Sequence, residues 1–263
     1  EIFILTTMNP KEHSYTTKTL PGKLILLATI LASGMAFPDG TVVNIAIPTI
    51  QASLHATFDG MQWVINSYVL LLAALILVSG SLGDRFGRKK IFTYGILFFT
   101  FSSFLCSIAH STEQLIFFRA LQGIGAAMMI PGSLSIINVS FAEHVRGKVI
   151  GLWSGFAGGV AALGPFLGGW LVESFGWPSI FWINIPIGIL ALAITLNYVP
   201  ETRNHKATKL DLLGTICIFV SLLGIAYGLT EAAVLGWGNA LVVGSLFVGI
   251  LAFVAFVYRE KKA

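Results

Sequence analysis

Eight stretches of this chain are almost unbroken in apolar residues, and short polar stretches separate them. They cover residues 24–50, 61–82, 91–109, 115–138, 149–171, 180–198, 213–230 and 240–258. About 20 helical residues cross the hydrocarbon core of a bilayer. In lipid a backbone must satisfy its own hydrogen bonds, which leaves helices and closed barrels. Barrel strands would alternate apolar and polar residues over about ten positions, and no such alternation occurs. The pattern predicts an all-α polytopic membrane protein with eight membrane helices.

The polar segments divide these helices. Residues 1–23 read as a cytoplasmic tail and 24–198 as a six-helix transmembrane bundle. Residues 199–212 read as a cytoplasmic linker carrying Pro200 and mixed charge, 213–258 as an additional helix pair, and 259–263 as a cytoplasmic end. Met8 reads as a possible start, and residues 1–7 before it are too short and lack the basic residues of a signal peptide.

Composition supports the membrane reading, with 56% hydrophobic and 11% charged residues among 263, where a soluble domain carries about 25% charge. Charge also supplies orientation. Of 16 Lys and Arg, 15 fall in the tail (Lys11, Lys18, Lys23), in the loops after helices 2, 4 and 6, or at the end of the chain. The loops at 51–60, 110–114, 172–179 and 231–239 have none. Cytoplasmic loops retain Lys and Arg, so both termini are expected in the cytoplasm of a multi-pass plasma-membrane protein, the inner membrane if bacterial. Spread this way, the net charge of +4 marks topology and gives no reason to expect nucleic acid as a partner; the lipid bilayer is the expected one.

Enzymatic chemistry finds little footing. Cys106 and Cys217 lie inside spans with no metal or disulfide spacing. The five histidines sit in the tail and loops, no Ser-His-Asp set is apparent, and G-D-R-F-G-R-K-K at 83–90 lacks the P-loop pattern. The expectation is no enzyme, no metal and no cofactor.

Two ionisable residues lie inside spans: Asp39 in helix 1 and Arg119 near the outer end of helix 4. A charge at the bilayer centre costs about 2.5–3.5 kcal/mol or more, so such residues commonly mark a substrate or proton path. At about 1.5 Å per residue, Asp39 lies roughly 16 Å and Arg119 roughly 6–9 Å below the outer ends of their helices. The two are expected to share the outer half of one cavity, with Asp39 loading and releasing a proton. The bland alternatives are snorkelling of Arg119 to the headgroups and a helix-break contact at Asp39, flanked by Pro38 and Gly40. Asn44 and Gln122 are candidate polar lining of the same path, with hydrogen bonding between helices as the alternative. In helix 5, Gly147, Gly151, Gly155 and Gly159 recur every four residues, a spacing that lets helices approach closely. Pro165 is expected to kink the helix.

Residues 80–92 (G-S-L-G-D-R-F-G-R-K-K-I-F) align without gaps to 169–181 (G-W-L-V-E-S-F-G-W-P-S-I-F). The first copy follows helix 2 and the second helix 5. A three-helix unit repeated in inverted topology, as in secondary transporters, would produce this echo.

These residues carry a resemblance to the major facilitator superfamily. G-S-L-G-D-R-F-G-R-K-K resembles its signature loop, with Gly80, Leu82, Asp84, Arg85, Gly87, Arg88 and Lys89 at motif positions. R-A-L-Q-G at 119–123 resembles the helix-4 motif whose Arg is associated with proton coupling. Gly151, Gly164, Pro165, Gly168 and Gly169 fit the helix-5 motif of exporters, although Val160 replaces its middle glycine. D-G-T-V-V-N-I-A-I-P at 39–48 and G-W-P-S-I-F-W-I-N-I-P-I-G at 176–188 are similar to stretches of the 14-helix drug:proton antiporter branch; Pro178 and Ser179 replace an Arg-Trp pair. The resemblance implies a six-helix N-terminal bundle built as a 3+3 inverted repeat plus two further transmembrane helices. It implies proton-driven export of amphipathic or cationic small molecules, with protons and substrate as partners and the proton gradient in place of a cofactor. Asp39 and Arg119 would couple, Asn44 and Gln122 would line the path, and the loop at 80–90 would act as a gate, with Asp84 latching two halves. It also implies a second six-helix half that this sequence does not contain, so truncation before that half is expected. The alternatives are a carrier of a metabolite, sugar acid, amino acid or siderophore, and a non-transporting fragment or half-transporter needing a partner.

Overall fold

The computed structural model describes residues 15–204 and 212–261. The basic residues Lys11, Lys206, Lys209 and Lys262, the tail through residue 14 and linker positions 205–211 lie outside them. Among the described residues there are nine helices: α1 (Leu20–Leu54), α2 (Phe58–Phe86), α3 (Arg88–Ser107), α4 (Thr112–Ser140), α5 (Glu143–Phe175), α6 (Ser179–Trp182), α7 (Asn184–Tyr198), α8 (Leu212–Leu235) and α9 (Ala240–Glu260). The short α6 and α7 follow one another as a single span, giving eight helices long and apolar enough to cross a membrane.

Their ends are set by local chemistry. Thr19, Thr57, Ser111 and Asn239 each accept a hydrogen bond from a backbone N–H of the following first turn, satisfying donors a helix cannot satisfy itself. The helices also run further than the apolar stretches suggest. Helix α1 continues without a break through Pro38, Asp39 and Gly40, which removes the helix-break reading of Asp39. Helix α2 continues through Gly80 and Gly83 to Phe86, so of the three glycines in this stretch only Gly87 makes the turn into α3. Its φ of 117° is open to glycine and strained for other residues.

The packing bears out the inverted repeat. Helix α1 packs on α5 and α7, while α4 packs on α2 and α3. Exchanging the first three spans for the next three turns α1–α5 into α4–α2 and α1–α7 into α4–α3; α1–α4 and α3–α7 map onto themselves. The aligned glycines obey the same exchange. Gly87 ends α2 and Gly176 ends α5, both at positive φ, each donating its N–H to the carbonyl four residues back at 3.0 Å.

Close approach of helices depends on particular glycines. A Cβ on Gly123 of α4 would collide with the Tyr68 carbonyl of α2, and one on Gly164 or Gly168 of α5 would press on Thr41 or Val42 of α1. The remaining helix-5 glycines correct the packing expectation. Gly147, Gly151, Gly155, Gly159 and Gly169 have nothing within 4 Å of a built Cβ, and Gly151, Gly155 and Gly159 line an open groove on α5. The four-residue spacing is real, but the helix presents that side to no neighbour among the described residues.

The core forms two apolar clusters stacked along the bundle. One, at the end where α2 meets α3, includes Ile25, Phe92, Phe99, Met129, Ile137 and Phe141. The other, at the far end, includes Val43, Ile50, Met61, Leu115, Trp177 and Phe181. Along α1 the first stops at Ala36 and the second begins at Val43. Asp39 falls in the seam.

Candidate functional site

Asp39 and Arg119 meet in that seam. Arg119 Nη1 lies 2.5 Å from Asp39 Oδ2, and the two side chains are 1% and 3% exposed. Arg119 is therefore enclosed, which excludes snorkelling to a headgroup in this conformation. The length of the arginine side chain spans their different depths in sequence.

Both carboxylate oxygens of Asp39, and Nε and Nη1 of Arg119, have hydrogen-bond partners. Arg119 Nε donates to the Val64 carbonyl of α2 at 3.3 Å, and Nη1 also donates to Gln122 Oε1 at 2.7 Å. Gln122 Nε2 donates to Asp39 Oδ1 and to Ser103 Oγ of α3, both at 3.3 Å. Ser103 Oγ donates to the Phe181 carbonyl of α6 and accepts from Asn184 Nδ2 of α7, both at 3.0 Å. The guanidinium carbon stands 4.3 Å from the centre of the Tyr68 ring, within cation–π range, while the Tyr68 hydroxyl donates to the Ala36 carbonyl at 3.0 Å. Helices α1, α2, α3, α4, α6 and α7 all contribute. Such a layer between apolar clusters is stable only when its members satisfy one another, because an unpaired polar group in low dielectric is expensive.

A cavity of about 100 Å³ adjoins the pair between α1, α5, α6 and α7. Its walls are mostly apolar, with Val42, Leu167 and Ile183 among them; Asp39 and Asn184 are the polar side chains on it. Gln122 and Asn44 do not line it. Gln122 is fully buried and bonds between helices. Asn44 is exposed on α1, on one stripe with Phe37, Thr41 and Pro48. Sequence reasoning placed these two together; the structure puts one inside the bundle and the other on its surface.

The gate residues form a second site at the α2–α3 junction. Arg88 pairs with Asp84 at 2.7 Å one helical turn away, Arg85 stacks on the Phe86 ring, and Lys89 Nζ donates to the Leu196 carbonyl at 2.7 Å. The organising residue here is Glu201, which no motif or span pattern singles out. Its carboxylate accepts from the backbone N–H of Lys89 and of Lys90, at 3.2 and 3.1 Å, capping the positive end of α3. A Cβ on Gly87 would strike that carboxylate. The Arg88 N–H donates to the Thr202 carbonyl and the Asn204 N–H to the Asp84 carbonyl. Residues 201–204 thus dock across the loop, so the sixth span is tied to the first three-helix unit at its turn.

Comparison with known proteins follows the same lines. The Major Facilitator Superfamily profile matches residues 29–260. The tetracenomycin C resistance and export protein of Streptomyces glaucescens is 37% identical over 239 residues, covering 90% of this chain and 44% of that protein. The riboflavin transporter RibZ of Clostridioides difficile is 34% identical over 91% of this chain and 51% of its own length. A crystal structure of the peptide transporter POT in complex with sulfate superimposes with a TM-score of 0.69 at 17% identity, over 96% of this chain and 55% of the other. This chain spans about half the length of the curated relatives it matches.

Proposed function

The chain belongs to the Major Facilitator Superfamily, and from that premise we propose that it supplies the proton-coupling bundle of a secondary transporter exporting amphipathic or cationic small molecules. The carrying observation is the enclosed Asp39–Arg119 pair, held in a polar seam beside a cavity. A proton arriving at Asp39 neutralises the carboxylate and dissolves the ion pair. Arg119 keeps the Gln122 and Val64 acceptors, so the protonated state leaves α4 anchored while α1 loses its strongest tie to it. An ordinary change of helix packing then follows from a change of charge. Alternating access operates between two bundles around a midplane site, and a second bundle would face the exposed stripe of α1. The basic loops support a reading in which both ends of this chain lie on the cytoplasmic side of the inner membrane.

The test uses everted membrane vesicles from cells expressing the intact gene. Asp39→Asn is expected to abolish dye movement driven by an imposed proton gradient while dye binding persists. Unchanged proton-driven movement in that variant would remove Asp39 from coupling. A second reading, a metabolite carrier, is favoured by the relative named as a riboflavin transporter, whose 34% identity is close to the 37% of the tetracenomycin exporter. Competition of dye transport by cationic drugs against neutral and anionic metabolites separates the two.

A further inference from the structure

The α8–α9 pair is joined to the six-helix bundle by side chains on one short stretch of α2. Trp63 Nε1 donates to Glu231 Oε1 of α8 at 2.9 Å, and Asn66 Nδ2 donates to Thr230 Oγ1 at 2.9 Å. The Trp63 ring also packs on Tyr227, with centroids 5.8 Å apart. Glu231 lies within α8, roughly 6 Å along the axis from its last residue, inside a helix otherwise free of charge. Glu231 is half-buried there, and the Trp63 indole N–H is its hydrogen-bond donor.

The same stretch of α2 holds Arg119 from its other side. Val64, between Trp63 and Asn66, gives its carbonyl to Arg119 Nε, and Tyr68, one turn on, lies under the guanidinium. At about 100° per residue, the Trp63–Asn66 and Val64–Tyr68 directions are roughly 150° apart around the helix. One turn of α2 therefore has α8 on one flank and the ion pair on the other. A shift of α2 toward or away from α8 moves the Val64 carbonyl and the Tyr68 ring relative to Arg119.

We infer that Glu231 is a positioning residue for the Asp39–Arg119 pair: it pins α8 to α2, and α2 carries that constraint to Arg119. The extra helix pair is then an arm of the first bundle that sets how tightly proton and substrate movements are linked. This rests on the coupling role proposed above.

The experiment measures protons moved per dye molecule in proteoliposomes of the intact protein. That ratio does not depend on how much protein folds. Glu231→Leu and Trp63→Phe are each expected to lower it by about twofold or more, the scale of coupling changes made at a distance. The double variant should be no worse than the poorer single, since both remove the same bond. Glu231→Gln, whose amide oxygen still accepts from the indole, should restore most of the ratio. Leu229→Ala, exposed on the same helix, is the control. An unchanged ratio in Glu231→Leu, with coupling lost in Asp39→Asn, overturns this inference alone. Proton-driven transport surviving in Asp39→Asn overturns the coupling role and this inference with it. A Glu231→Gln ratio as low as that of Glu231→Leu also overturns the pin, because the charge and not the hydrogen bond would then be responsible.

Discussion

Removing one charge from the buried pair should damage the fold more than removing both. At 2.5 Å and an effective dielectric constant of about 20, the gross attraction between Asp39 and Arg119 is roughly 6–7 kcal/mol. Desolvation of the two ions offsets much of this, so the net worth of the pair is small. Truncating a single partner leaves the other charge buried without compensation, at a cost of about 3–5 kcal/mol. Asp39→Asn and Arg119→Gln should each fall in that range. Asp39→Asn with Arg119→Gln leaves two neutral amides among the Gln122, Ser103 and Val64 groups that already brace the site. The double variant should therefore unfold within about 2 kcal/mol of the parent, an interaction energy of several kcal/mol in the cycle. Reversible unfolding of this chain in mixed detergent micelles, titrated with SDS, measures all four corners. Single losses that simply add in the double variant would show that the two residues do not depend on each other, and the electrostatic account of the seam would be wrong.

Other positions give further expectations. Gln122→Leu should cost about 1–3 kcal/mol in the same titration, because it strips a donor from Asp39 Oδ1 and leaves polar groups in the seam unpaired. Gly168→Val should destabilise the chain by about 1–3 kcal/mol through pressure on Val42 of α1, whereas Gly155→Ala, which meets nothing, should raise stability by about 0.5–1 kcal/mol through the better helix propensity of alanine. Gly87→Ala should cost about 1–3 kcal/mol from its positive φ and its approach to Glu201. With Glu201→Ala in the background, part of that loss should disappear, which the two titrations compared side by side would reveal.

Much of the architecture was written in the sequence alone. The eight apolar stretches set the number and order of the membrane helices, because a bilayer demands length and apolarity from each span regardless of its neighbours. The echo between 80–92 and 169–181 announced the repeat, and its two glycines turn at matching helix ends. Asp39 and Arg119 stood out singly, since charge inside a span needs a reason.

Which side of each helix faces inward was decided only by the fold. In a soluble bundle the polar face of a helix marks the side away from the core. In a membrane both sides are apolar, so the pattern carries almost no information about rotation. That is why the glycines at 151, 155 and 159 read like those at 164 and 168, yet one set opens on a groove and the other touches α1. For the same reason Asn44 and Gln122 looked alike, and only packing put Gln122 in the seam and Asn44 on the surface. The contacts of Glu201 with the α3 terminus and of Glu231 with Trp63 span 112 and 168 residues. Pairings so distant come from the way six spans fold back on one another, and no local pattern records them.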